Sequence, residues 1–242
     1  MALRIRKLHA GKDSKAAAIF ERFDDEKTVF SFENRAMFGK IETAITRTND
    51  MGRMPLWKEY QTVANYGRPI DENTKRKMVD VRTKPEFCEF YAWLVNVIEP
   101  DAVLEFGAGF GASGMYWLAG MGLRDHGKLF SFEPNDIWHP IARANFDTVS
   151  DRHELTLGTF EDNIDAVTGK VNIAVIDAIH TREFVVDQFA KVRTVAESGA
   201  LVLFADINFS DDMKECWSEI SQSEGFASVW QLSNRVGIVE LP

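Results

Sequence analysis

The chain is poor in the features that would place it outside a reducing aqueous compartment. It has 2 cysteines in 242 residues, Cys88 and Cys216, far apart in helix-like segments and without metal-ligand spacing. Two reduced thiols in a cytoplasmic protein are expected, not a disulfide framework or a zinc site. It lacks a run of about 18 apolar residues and a signal-peptide core, so neither a membrane span nor secretion is expected. Positive charge is in deficit, with 28 Lys and Arg against 37 Asp and Glu and a formal net charge of −9. Nucleic acid is therefore not an expected partner, because nonspecific binding needs a basic surface to displace counterions. There is no internal repeat and no low-complexity tract. What remains is a chain of 45% hydrophobic composition, enough for the core of one large domain or of one domain with an extension.

The stretch VLEFGAGFGASGMYWL, residues 103–118, organises the rest. Val103, Leu104 and Phe106 read as a strand, Gly107, Gly109 and Gly111 as a tight turn, and Met115, Tyr116 and Leu118 as a helix face. Glycine tolerates positive φ and close approach, and amides at a helix start are outward-facing donors, so a ligand can touch backbone here. An ordinary strand-to-helix turn is the plainer alternative. Two cofactors fit the loop. Gly107, Gly109 and Ala112 satisfy the G-x-G-x-x-G/A dinucleotide pattern, which serves a pyrophosphate. Glu105, two residues before the first glycine, would repel a pyrophosphate and suits a cationic ligand, which favours S-adenosylmethionine (SAM) over NAD(P).

From Pro85 the chain alternates regularly. PEFCEFYAWLVNVI reads as a helix with Pro at its first position, followed by strands at 102–106, KLFSFEP, HELTLGTFED, VNIAVIDAIH and ALVLFADI, with helices between them. A helix from Ser210 and two closing strands, FASVWQL and NRVGIVEL, end it. The expected fold is α/β: a Rossmann-like, doubly wound, seven-stranded sheet, mostly parallel with one antiparallel edge strand. Residues 1–84 are expected to form a mainly helical N-terminal extension, and residues 85–242 the ligand-binding domain. Within the extension, SKAAAIFERF and a stripe of Phe38, Ile41, Ala44 and Ile45 read as helices. The basic start MALRIRKLHAGK reads as a frayed tail, and residues 50–84, with MGRMP, YGRP and DENTKRK, as loop and short helix; no clear strand is expected before residue 85. The extension could cap a substrate pocket or join two copies in a homodimer.

In open α/β sheets ligands bind beyond the carboxyl ends of the strands. The polar residues there are Glu105, Glu133, Glu161 with Asp162, Asp177 with His180, and Asp206 with Asn208. With EFGAGFG, FEP, GTFED, IDAIHTREFVVD and LFADINFSDDM in this order, residues from about 85 to 240 resemble the class I SAM-dependent methyltransferases. The small-molecule O-methyltransferases are the most similar in pattern, both the methyltransferase-24 type and the catechol O-methyltransferase type.

That resemblance implies roles. SAM would be held by the loop of Glu105, Gly107, Gly109, Gly111 and Ser113. Glu133 and Pro134 would lie at the ribose, Thr159, Phe160 and Glu161 at the adenine, and Asp177 at the SAM ammonium. Glu161 could instead cap the short helix that follows, with Thr159 as the alternative cap, and Trp138 could face the adenine or belong to the core. His180, Asp177 and Asp206 would stand nearest the chemistry, with His180 as the base that takes a proton from a small-molecule hydroxyl; a structural histidine is the competing reading. His139 and His153 lack such a motif. Asp177 and Asp206 also match the carboxylates that hold Mg²⁺ in the metal-dependent members, but Ile207 replaces the asparagine ligand of the catechol enzyme and Asn208 is one residue out of phase. The expectation is O-methyl transfer without an obligatory metal. N-methyl transfer, an NAD(P)-dependent oxidoreductase and a non-catalytic SAM-binding subunit are the alternatives.

Overall fold

The computed structural model describes residues 3–62 and 70–242; the YGRP segment lies outside them. Along the chain come β1 Ile5–Ala10, α1 Lys15–Phe20, α2 Phe23–Glu33 and α3 Arg35–Asp50. A small hairpin of β2 Met54–Pro55 and β3 Lys75–Arg76 follows, with a 3-10 turn at Lys58–Thr62, and then α4 Met78–Val81. The regular part consists of α5 Pro85–Ile98, β4 Ala102–Phe106, α6 Ala112–Arg124, β5 Lys128–Glu133, α7 His139–Asp147, β6 His153–Leu157 and α8 Phe160–Asn163. It closes with β7 Val171–Ile176, α9 Arg182–Val195, β8 Ala196–Phe204, α10 Asp211–Gln222, β9 Ser228–Leu232 and β10 Val236–Glu240.

Strand order across the main sheet is β1-β9-β10-β8-β7-β4-β5-β6. Five strands from β8 to β6 are parallel, and β10 runs antiparallel between β8 and β9. The chain winds one way from β4 through β5 to β6 and the other way from β7 to β8. The crevice at that reversal, beyond the carboxyl ends of β4 and β7, is where such sheets take ligands.

The seven expected strands are present, and an eighth extends them. Residues 5–10 are not a frayed tail: β1 pairs antiparallel with β9, from Ile5 opposite Leu232 to Ala10 opposite Ser228. The alternation that marks a strand is hidden because four of its six residues are exposed on an edge. Buried Glu240 of β10 secures the segment that follows. It accepts hydrogen bonds from Ser14 Oγ at 2.5 Å, Ser228 Oγ at 2.6 Å and the Lys15 amide at 2.9 Å, a carboxylate at the positive end of α1.

The helix from Pro85 has the boundaries its capping proline implies, but it is buried on more than one face. Phe87, Tyr91, Leu94 and Val95 are buried as their spacing predicts, and so are Phe90 and Trp93. The reason lies in the N-terminal segment: Phe23 of α2 meets Phe90 at 5.6 Å and Trp93 at 5.4 Å between ring centroids, both edge-on. Each large apolar side chain so covered is worth about 1.5–3 kcal/mol. The α3 stripe of Phe38, Ile41, Ala44 and Ile45 is buried in the same cluster, and Phe38 lies 5.2 Å from Tyr116 of α6.

Candidate active site

The glycine turn after β4 is shaped first by its neighbours. Gly107 has φ +79°, and a Cβ there would stand 2.7 Å from the Asp177 carbonyl oxygen, so the tip of β7 passes where a side chain would be. The Gly109 amide donates to Glu133 Oε2 at 2.6 Å and the Asn135 amide to Oε1 at 2.9 Å. The ends of β4 and β5 are thereby tied together around one carboxylate. Burial raises the Glu133 pKa to about 8, and the two amide donors only partly oppose this.

Below the turn lies a cavity of about 360 Å³, within the range of small-molecule sites. Of the residues singled out in the sequence, Gly107, Gly109, Ser113, Glu133, Pro134, Thr159, Phe160, Glu161, Asp177, His180 and Asp206 all line it. Glu105 and Gly111 are not among its lining residues. Glu105 is 1% exposed and accepts from Ser113 Oγ at 2.6 Å and Ser131 Oγ at 2.5 Å, so it braces α6 against β5. Both faces of β4 are buried, and alternation turns Glu105 to the side that meets α6, which its position before the glycines does not reveal. Gly111, φ +90°, is the residue before α6, with the Phe146 ring 3.0 Å from where a Cβ would be.

At the β6 end, Thr159 takes the cap of α8, its hydroxyl accepting from the Asp162 amide at 3.3 Å. That frees Glu161, whose Oε1 accepts from Gln188 Nε2 at 2.8 Å. Trp138 is 5% exposed, stacks on Phe110 at 4.3 Å and also borders the cavity. His139 Nε2 meets the Leu155 carbonyl at 3.1 Å and His153 Nε2 meets Asp147 at 2.9 Å; neither histidine is among the cavity-lining residues.

At the opposite end His180 Nε2 lies 3.5 Å from Asp206 Oδ2 and 3.8 Å from Asp177 Oδ1. Ligand atoms of these three residues lie within 4.8 Å of one another. Burial lowers the His180 pKa, outweighing the opposing pull of Asp206, and Arg235 lowers it further. Burial, with the negative charge of Asp206 beside it, raises that of Asp177. Ile207 is 4% exposed in the core and Asn208 is exposed. Neither lines the cavity.

Two residues absent from the sequence reading complete this end. Arg235 binds Asp206 with both arms, Nε to Oδ1 at 2.6 Å and a terminal nitrogen to Oδ2 at 3.1 Å. Its position follows from strand register: Gly237 pairs with Phe204 in antiparallel sense, and two residues further on Arg235 comes opposite Asp206. A lone arginine in a hairpin turn carries no sequence signal of this. Thr83 Oγ1 donates to Asp177 Oδ2 at 3.2 Å from the strap before α5. Leu56, Trp57, Tyr60, Arg76 and Met78 add a wall from the N-terminal segment.

A family model described as a methyltransferase domain matches residues 104–207, from β4 to the end of β8. None of the curated proteins matches in sequence. Among solved structures, the cofactor-bound Rv0187 protein from MTB is 17% identical at TM-score 0.63, covering 90% of this chain and 97% of that one. An O-methyltransferase from Bacillus cereus in complex with SAH is 14% identical at TM-score 0.57, covering 90% and 99%. The O-methyltransferase TomG from Streptomyces achromogenes, in complex with SAM, is 12% identical at TM-score 0.57, covering 67% and 83%. At these identities the structures speak for the fold, and the domain match is confined to residues 104–207. Residues 104–207 thus match a methyltransferase domain, and the chain carries the α/β fold of these solved methyltransferase structures.

Proposed function

We propose that the protein transfers the methyl group of SAM to a hydroxyl oxygen of a small molecule, with His180 as the base. The observation that carries this reading is one cavity with the glycine turn and Glu133 at one end and His180, Asp177 and Asp206 at the other. The residues suit SAM. Glu133 offers a carboxylate to ribose hydroxyls, the Glu161 carboxylate stands at the β6 end for the base, and the tip of β7 brings Asp177 below the turn. SAM supplies a methyl group on a sulfonium that is already a good leaving group. What the protein must add is position and proton removal.

A hydroxyl seated among the three side chains passes its proton to the His180 imidazole, and the cation formed lies 3.5 Å from Asp206. The lowered pKa keeps the ring unprotonated and ready at neutral pH. Arg235 holds Asp206 in place and Thr83 holds Asp177. The set does not fit a resident Mg²⁺. That ion prefers six oxygens, whereas one of the three groups is an imidazole and both oxygens of Asp206 face a guanidinium. Leu56, Trp57, Tyr60, Arg76, Met78 and Thr83 are the acceptor-side wall in this reading, part of an extension serving as substrate cap.

Buried, unpaired Cys88 and Cys216 agree with a cytoplasmic setting, and no helix among the described residues is long and apolar enough to cross a membrane. A homodimer through the extension would cover Val29 and Phe32, exposed on α2. The test is thermal protection by S-adenosylhomocysteine without protection by NADPH, followed by methyl transfer from SAM across a panel of hydroxylated and aminated small molecules. Stabilisation by NADPH alone would refute it.

A further inference from the structure

Gln188 on α9 borders the cavity and is 3% exposed. Its Nε2 donates to Glu161 Oε1 at 2.8 Å. A carboxylate only accepts, so the amide must present its NH₂ to Glu161, and the orientation of the side chain is fixed by that partner. The carbonyl oxygen then points away from Glu161 and, buried, meets no donor. Buried polar atoms without partners are rare in folded proteins, and one at the wall of a binding cavity is a demand for a ligand donor. Two acceptors stand together here, Gln188 Oε1 and the Glu161 carboxylate, in a cavity that Phe160 and Phe184 also line.

We infer that Gln188, acting with Glu161, reads the 6-amino group of the cofactor's purine. An exocyclic amine carries two hydrogens and satisfies both acceptors, whereas a 6-oxo group turns a third acceptor towards them. Gln188 thus serves as the residue that selects an adenine base over a hypoxanthine base, and it also holds the Glu161 carboxylate in place. The inference rests on SAM being the methyl donor.

Titration calorimetry with S-adenosylhomocysteine and its deaminated analogue S-inosylhomocysteine separates the two readings. The wild-type protein is expected to prefer the adenine form by about 10- to 100-fold, the range for leaving a buried acceptor without its donor. Gln188→Met, similar in length and volume, should bring the ratio to within about threefold with folding retained by circular dichroism. If that variant fails to fold, Glu161→Gln, at a partly exposed position, removes the carboxylate that orients the amide and should narrow the ratio as well. Equal wild-type affinities, or a folded Gln188→Met with the wild-type ratio, would overturn the role of Gln188 while leaving SAM as cofactor. Binding of neither compound would overturn the SAM reading and this inference with it.

Discussion

Arg82 and Glu42 face each other through two parallel hydrogen bonds of 2.7 Å each. The pair joins α3 of the N-terminal segment to the strap that carries Thr83, and Thr83 reaches Asp177 in the cavity. Tyr116 of α6 adds a third donor to Glu42 at 2.7 Å. The extension therefore touches the site through a continuous polar chain as well as through apolar packing.

Glu42→Ala should leave the 11%-exposed Arg82 side chain without its partner. Breaking a fully buried pair costs about 3–5 kcal/mol. Glu42 itself is 37% exposed, so solvent screening reduces the expected loss to about 1–2 kcal/mol. Burial, which would raise the Glu42 pKa, is overcome by its bonds to Arg82 and Tyr116, so the value is lowered. The pair's contribution is complete above the unfolded value near 4.5 and is lost as pH falls through the folded one. Urea unfolding at pH 7 and pH 4 reads both effects; equal destabilisation at the two pH values would show that the mutation acts through packing.

His180→Ala should lower turnover by about 10² to 10⁴ and leave S-adenosylhomocysteine affinity within a few fold. Because burial lowers the His180 pKa, the wild-type rate should climb with pH through a point below the ordinary histidine value and be level at neutrality. A rate still rising between pH 7 and 8, unchanged in His180→Ala, would assign the proton transfer elsewhere.

Glu133, its pKa raised to about 8 by burial, should hold a proton in the ligand-free protein at pH 7. Between about 4.5 and 8 the folded chain binds a proton that the unfolded chain has lost, so this group makes stability fall as pH rises through that window. Ribose hydroxyls need the carboxylate as acceptor, so binding S-adenosylhomocysteine at pH 7 should release close to one proton. Calorimetry in buffers of different ionisation enthalpy measures it. Glu133→Ala should abolish the release and weaken binding by about 100-fold or more; full affinity in a folded variant would remove Glu133 from the cofactor site.

Arg235 stands where a metal's charge would act, so wild-type methyl transfer should survive EDTA and gain little from Mg²⁺ or Mn²⁺. Arg235→Met releases both oxygens of Asp206 and should lower activity while creating a Mn²⁺ affinity that the wild-type protein lacks. Loss of wild-type activity on chelation, restored by either ion, would instead make Asp177 and Asp206 metal ligands.

Periodicity and punctuation carried much of the architecture. Pro85 marked the start of α5, the break from Phe106 into glycine marked the β4 turn, and the alternation of strands and helices implied a doubly wound sheet, because these are local properties that a few neighbouring residues decide. The strand-end rule likewise drew together Glu133, Glu161, Asp177, His180 and Asp206, since parallel strands deliver all their carboxyl ends to one side. Glu105, Arg235, Gln188 and β1 were not legible in the same way. Glu105 faces inward because of which side of β4 meets α6. Arg235 reaches Asp206 because β10 inserts antiparallel beside β8, and Gln188 meets Glu161 because α9, packed on β7 and β8, comes within hydrogen-bond reach of α8. β1 is a strand because β9 leaves it an edge to pair with. The sequence by itself determined the order of elements and the chemistry available at the strand ends. Which carboxylates face the cavity, and which cation and amide restrain them, was decided only by tertiary structure, because pairing between distant segments is set by register and packing that no local pattern records.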